Sequence, residues 1–180
     1  MEHNKKFLII GNVNAITYKE IFPLIKENKI WLGTQYVKEF VSDSGETKKF
    51  GNILWYTNLD HKRRHEEVIL YKKYNEAEYP KYDNYDAINV DKVCDTPLDY
   101  NGVMGVPVSF LDKYNPDQFE IIGLGITERG KECGVRTNYT DEQLKQFKKD
   151  SASFRQGTLF YLENGKAKVP YARILIRFKK

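Results

Sequence analysis

The densest chemistry in the chain is His61-Lys62-Arg63-Arg64-His65-Glu66. Two histidines at i, i+4 can share a metal on a helix, but the cations between them oppose that and no third ligand stands at suitable spacing. A solvated basic turn is the ordinary reading. The alternative is contact with a polyanion, because Lys62, Arg63 and Arg64 follow an aromatic strand on a loop, where they suit a nucleic-acid backbone. Other patterns fall short. Asp43 with Glu46-Thr47-Lys48 resembles the acid and E-x-K set of metal-dependent nucleases, yet the spacing is too tight and Ser44-Gly45 mark a surface turn. Gly123-Leu124-Gly125 lacks a third glycine and the helix that would cradle a phosphate. Asn115-Pro116 has no second proline after it and reads as a turn. No metal site is expected from these residues.

Two further pairs could bind a ligand. Asn12 and Asn14 lie just past the end of the apolar run Phe7-Leu8-Ile9-Ile10, the edge where open α/β sheets bind ligands, although asparagine also forms ordinary loops. Trp55 and Tyr56 are adjacent in a β-prone run, so they point to opposite faces. One is expected in the core. The other either stacks on a ligand ring or packs on the surface.

The elements that must position these residues follow from patterning. Phe7–Ile10 is uninterrupted and apolar, as in a strand buried on both faces of a parallel sheet. Thr17-Tyr18-Lys19-Glu20 has the form of a capping box, and Pro23 predicts a kink or break near Phe22. Residues 30–33 leading into 35–40, and residues 52–57, read as a hairpin across Ser42-Asp43-Ser44-Gly45. Val68–Tyr71 reads as a further short strand, and the stretch 74–85 as a linker. Val103–Val108 and Phe119–Leu124 are strand-like. Thr140-Asp141-Glu142-Gln143 is a second capping box, opening a helix with Leu144 and Phe147 inward and Lys145, Lys148 and Lys149 outward. Asn164-Gly165 is a hairpin turn. In the last run Ala172, Ile174, Ile176 and Phe178 share one face, and Arg173 and Arg177 the other.

Bulk properties set the class. The 180 residues are 41% hydrophobic and 30% charged, as in a globular protein with a real core. Thirteen tyrosines and ten phenylalanines are a surplus that suits an interaction surface, and the net charge of +4 permits a polyanionic partner without demanding one. Cys94 and Cys133 stand alone, and neither a signal peptide nor a bilayer-spanning run is present, so a cytoplasmic protein with free thiols and no membrane partner is expected.

Longer strings carry a more specific signal. Phe7–Asn12, Asn14–Ile25, Ile30–Gly33, Trp55–Leu59, Tyr79–Ile88, Gly102–Pro107, Phe110–Pro116 and Tyr171–Ile176, taken in order, resemble the later part of EcoRI-type adenine-specific DNA methyltransferases. The resemblance implies a mixed α/β (α+β) fold: the C-terminal part of a Rossmann-like methyltransferase sheet over residues 1–74, then a β-rich target-recognition region over residues 75–180. It implies methyl transfer from S-adenosylmethionine to the adenine N6 of double-stranded DNA, with the base flipped out of the duplex. By that resemblance Trp55 and Tyr56, with Asn12 and Asn14, would wall the target base. Lys62, Arg63 and Arg64, and in the recognition region Arg129, Arg136, Arg173 and Arg177, would contact DNA.

The sequence also departs from that family pattern. Amino-methyltransferases carry an Asn/Asp-Pro-Pro-aromatic motif, and no two prolines are consecutive here. The glycine-containing segment that binds S-adenosylmethionine is missing as well. The expectation is therefore a C-terminal methyltransferase segment, inactive alone, whose partners are DNA and either an upstream methyltransferase half-chain or a second copy. The alternative is a DNA-binding specificity subunit that completes a partner chain in trans. A nuclease lacks a convincing carboxylate set.

Overall fold

The computed structural model describes residues 5–179. They fall into two compact units: Met1–Glu66 with Leu111–Pro116, and Glu67–Phe110 with Asp117–Lys180.

The first unit is built on a long hairpin. Strands β2 (Trp31–Val41) and β3 (Thr47–Thr57) pair antiparallel, with register shifts between Leu32 and Tyr36 and between Val37 and Glu39. Gly45, at φ 82°, supplies the left-handed residue of the turn, and its N–H donates to the Ser42 carbonyl at 2.9 Å. Strand β1 (Leu8–Asn12) joins the other side of β3, giving the order β1-β3-β2.

Here the structure corrects the expectation of a parallel, doubly buried strand. β1 runs antiparallel to β3, with Leu8 opposite Thr57 and Asn12 opposite Ile53. Leu8, Ile9 and Ile10 are 55%, 54% and 42% exposed, so both faces of this edge strand are open. A four-residue apolar run states that a segment is strand-like. It cannot state which neighbours cover it.

The chain then turns through a short 3-10 helix, Val13–Thr17, into α1 (Phe22–Lys26). Thr17 does not cap α1: its hydroxyl donates back to the Asn14 carbonyl at 2.8 Å. Pro23 sits in the first turn of α1, where its missing N–H costs nothing, so the expected break is the helix start. Ile16, Phe22, Ile25, Trp31, Leu32, Leu54 and Tyr56 are buried in this unit.

The second unit carries a mixed sheet of order β4-β5-β9-β6: β4 (Ala87–Asn89), β5 (Val103–Pro107), β9 (Arg173–Phe178) and β6 (Phe119–Leu124). β4 and β5 are parallel, and the pairs to β9 are antiparallel. Ile174, Leu175 and Ile176 are fully buried, so both faces of β9 are covered and its alternation does not sort core from surface. Around the sheet stand α2 (Thr127–Glu132), α3 (Asp141–Asp150) and the hairpin β7 (Tyr161–Glu163) and β8 (Lys166–Lys168). Asn164 and Gly165 both have positive φ, as a two-residue hairpin loop requires. The capping box at Thr140 forms with Gln143.

Two segments differ from their sequence reading. Residues 68–71 are not a strand: the Gln118 side-chain amide satisfies both backbone groups of Val68, at 2.8 and 3.0 Å, in place of a strand neighbour. Within 74–85, Tyr79, Tyr82 and Asn84 are buried. The Asn84 amide donates to the Thr158 carbonyl and its oxygen accepts from the Phe160 N–H, so a polar composition here serves packing. The mixed α/β class stands.

Candidate functional site

Strand β3 places the two aromatic candidates. Leu54 and Tyr56 turn to the buried face, and Trp55, half-buried, turns to the other. Gly33 of β2 lies against Trp55: a Cβ there would sit 2.7 Å from the Trp55 Cβ. Gly11 of β1 lies under the Tyr56 ring in the same way. The Tyr56 hydroxyl donates to the Asn12 carbonyl at 2.8 Å, and the Asn12 side chain accepts from the Asn14 N–H at 2.8 Å. The fold therefore brings Asn12, Asn14 and Tyr56 together at the end of β1 and sends Trp55 to the opposite face. Burial pushes the Tyr56 phenol up to about 12, so it is a neutral hydrogen-bond donor at physiological pH.

The basic cluster forms a short 3-10 helix, Lys62–His65. Lys62 and Arg63 are exposed. Arg64 is not: its guanidinium lies over the Trp31 ring and donates to the Asn28 carbonyl at 3.2 Å, with Asp60 at 3.4 Å. The His65 imidazole, hydrogen-bonded to Asp60 at 3.0 Å, holds the Asp60 carboxyl below the usual carboxylate range, with Arg64 adding to the effect. A cleft beside this helix is lined by Trp31, His61, Arg63, Arg64, Asp112 and Tyr114. Sequence reading missed the contribution of residues 111–116, because nothing local in that segment records its membership of the first unit.

In the second unit the arginines proposed for DNA each hold a protein partner. Arg129 pairs with Glu132 on α2. Arg136 pairs with Asp83 at 3.0 Å and lies over the Tyr139 ring. Arg177 donates through Nε to Glu120 at 2.7 Å. Arg173 is only 9% exposed; its Nε donates to Asn89 Oδ1 at 3.2 Å and a terminal nitrogen to the Tyr171 carbonyl at 3.1 Å. The other strand-face arginine, Arg177, does reach solvent.

S-adenosylmethionine needs a backbone approach that glycines leave open. At Gly123 and Gly125 the space a Cβ would take is filled by Cys133 and by Leu159, and at Gly11 by the Tyr56 ring. These three glycines pack against side chains and leave no open backbone for the cofactor to approach. Among the described residues no group of three or more His, Cys, Asp or Glu comes together as a metal ligand set, and no helix is long and apolar enough to cross a membrane.

Comparison with known proteins agrees on one family. A family model described as adenine-specific methyltransferase EcoRI matches residues 1–179. The type II methyltransferase M.EcoRI of Escherichia coli is 54% identical over 142 residues, covering 68% of this chain and 44% of the relative. M.MgeORF184P of Mycoplasma genitalium is 38% identical over 143 residues (68% and 45%), and M.MpnI of Mycoplasma pneumoniae 38% over 142 residues (67% and 44%). The matched stretch thus spans less than half the length of these relatives. No solved structure matches the chain. With a match that runs from residue 1 to residue 179, the chain belongs to the EcoRI family of adenine-specific methyltransferases.

Proposed function

We propose that this chain is the target-recognition part of a restriction-modification DNA adenine-N6 methyltransferase, and that it methylates only together with a polypeptide carrying the cofactor and Asn/Asp-Pro-Pro-aromatic residues. The observation that carries this reading is the family match over residues 1–179 in a sequence with no consecutive prolines. Residues 1–74 then belong to the methyltransferase sheet of the C-terminal part, and residues 75–180 read duplex DNA. S-adenosylmethionine, the methyl donor the family implies, is held by the other polypeptide.

The open edge of β1 supports the same reading. Leu8, Ile9 and Ile10 present apolar side chains on a strand edge that no other strand among the described residues pairs with, and such edges are ordinarily covered. The occupant we assign is a strand of the methyltransferase part that this sequence does not include; this chain's relatives are more than twice as long as the stretch they match. A DNA-binding subunit acting in trans uses this same edge. For the target base, Trp55 is the stacking candidate, because it faces away from the buried side, and Tyr56 positions Asn12 through its hydroxyl. Lys62 and Arg63 are the first-unit candidates for phosphates.

The test is selection of labelled duplexes from a randomised pool by the purified chain at low salt. Enrichment of a common adenine-containing sequence is expected. Retention of duplexes with no sequence enriched overturns the recognition role, and no retention at all overturns DNA binding.

A further inference from the structure

The proposed function leaves one strongly charged surface unused. Helix α3 carries Lys145, Lys148 and Lys149 at i, i+3 and i+4, so the three share one side of the helix. All three are exposed, and no ion pair among the described residues engages them. Lys166 of β8 is exposed too, but on the strand face opposite Ala167. Its neighbour Ala167 is buried against the aromatic cluster beneath α3, and the Ala167 N–H donates to the Asp150 carboxylate at the end of α3 at 3.0 Å. Lys168, two residues on, is instead held by Glu163 at 3.0 Å.

The surface is rigidly mounted. Leu144 and Phe147 pack into a cluster with Phe154, Phe160, Tyr139 and Val169. Phe147 stands 4.8 Å from Phe160 and 5.2 Å from Phe154, ring centre to ring centre. The capping box fixes the start of the helix, and Asp141 and Glu142 occupy its first turn, where carboxylates favour the helix dipole. Lys148 and Lys149 lie in the last turn of α3, away from those acids, while Lys145 stands three and four residues from them.

We infer that the outer side of α3 is a second phosphate-binding face for duplex DNA, formed by Lys145, Lys148 and Lys149. The inference rests on the DNA-recognition reading and adds a contact surface to it that none of the arginine candidates supplies. Lysines at this spacing act as point charges on a backbone and carry no base readout. A lipid surface fits less well, because the apolar side chains of α3 are turned inward.

The experiment measures anisotropy of a fluorescein-labelled mixed-sequence duplex across a salt series, with the full chain and its triple variant Lys145→Gln, Lys148→Gln, Lys149→Gln. A control removes exposed lysines of the first unit, Lys48→Gln with Lys49→Gln. Each phosphate contact contributes about 0.9 to the slope of log K against log salt, so the triple variant is expected to lose about 2 to 3 in slope. The control is expected to change it by well under 1 (about 0.5 or less), and circular dichroism to remain as in the wild type. A wild-type chain that binds duplex with a slope the triple variant leaves unchanged overturns this inference and leaves the recognition reading standing. A wild-type chain that binds no duplex overturns both. Loss of binding to phosphatidylserine vesicles with an unchanged DNA slope assigns the face to lipid and overturns the inference.

Discussion

Replacing Arg173 separates two roles that a sequence alone cannot distinguish: a DNA contact and a strut inside the second unit. Its Nε donates to Asn89 Oδ1 at 3.2 Å, where the Tyr82 hydroxyl also donates at 2.8 Å. The Asn89 amide in turn donates to Asp91 at 2.7 Å. Asn89 is 1% exposed, so its oxygen relies on these donors. In Arg173→Ala the charged hydrogen bond to Asn89 is lost, at about 1.5–3 kcal/mol. The buried aliphatic stem adds about 2 kcal/mol at roughly 0.8 kcal/mol per methylene. The Tyr171 carbonyl belongs to an exposed residue and recovers water, and Asp91 is largely exposed, so neither adds much. The expected loss is about 3–5 kcal/mol, in the range for breaking a buried polar pair. Arg173→Met keeps the stem and is expected to lose about 1.5–3 kcal/mol. Both tryptophans, Trp31 and Trp55, lie in the first unit, so their emission does not report this change directly. Urea unfolding followed by hydrogen exchange at β5 and β9 amides does. Arg173→Ala within about 1 kcal/mol of wild type, with duplex affinity lost, refutes the strut and restores Arg173 as a contact residue.

Tyr56→Phe removes the hydroxyl bond to the Asn12 carbonyl and is expected to cost about 0.5–1.5 kcal/mol in urea unfolding, toward the low end because Asn12 is exposed. Tyr56 also makes alkaline stability pH-dependent. Its folded phenol titrates near 12 against 10 unfolded, so its contribution is complete below pH 10 and is lost as pH rises toward 12. Tyrosinate absorbance should show several late-titrating phenols, the buried Tyr82 among them, and Tyr56→Phe should remove one; an unchanged titration contradicts its burial. Gly33→Ala drives a methyl against the Trp55 Cβ, which cannot swing aside as a side-chain tip can, and is expected to cost about 1–3 kcal/mol and to alter tryptophan emission. Stability and emission equal to wild type would mean β2 and β3 are not this close.

Features set by local chemistry were legible in the sequence. The Ser42–Gly45 turn, the Thr140–Gln143 capping box and the Asn164-Gly165 loop each depend on residues within a few positions, and each forms as read. Thr17 shows the limit. The same spacing is present, but the preceding 3-10 turn offers its hydroxyl the Asn14 carbonyl and the box does not close. What depends on distant partners was not legible. The apolar run of β1 is compatible with either strand direction, and only the pairing with β3 decides. Arg173 alternates like a surface residue, yet the sheet folds it toward Asn89, 84 positions away in sequence. That Trp55 and Tyr56 face opposite sides follows from strand geometry alone. Which one turned inward required the burial of Leu54 beside it.

The most direct test of the account is methyl transfer to duplex DNA from S-adenosylmethionine labelled in its methyl group. The chain is assayed alone and then mixed with a polypeptide supplying the Asn/Asp-Pro-Pro-aromatic and cofactor-binding residues of a family member. The account predicts no labelled adenine from the chain alone and N6-labelled adenine from the mixture. Sustained labelling of adenine by the purified chain alone would contradict it.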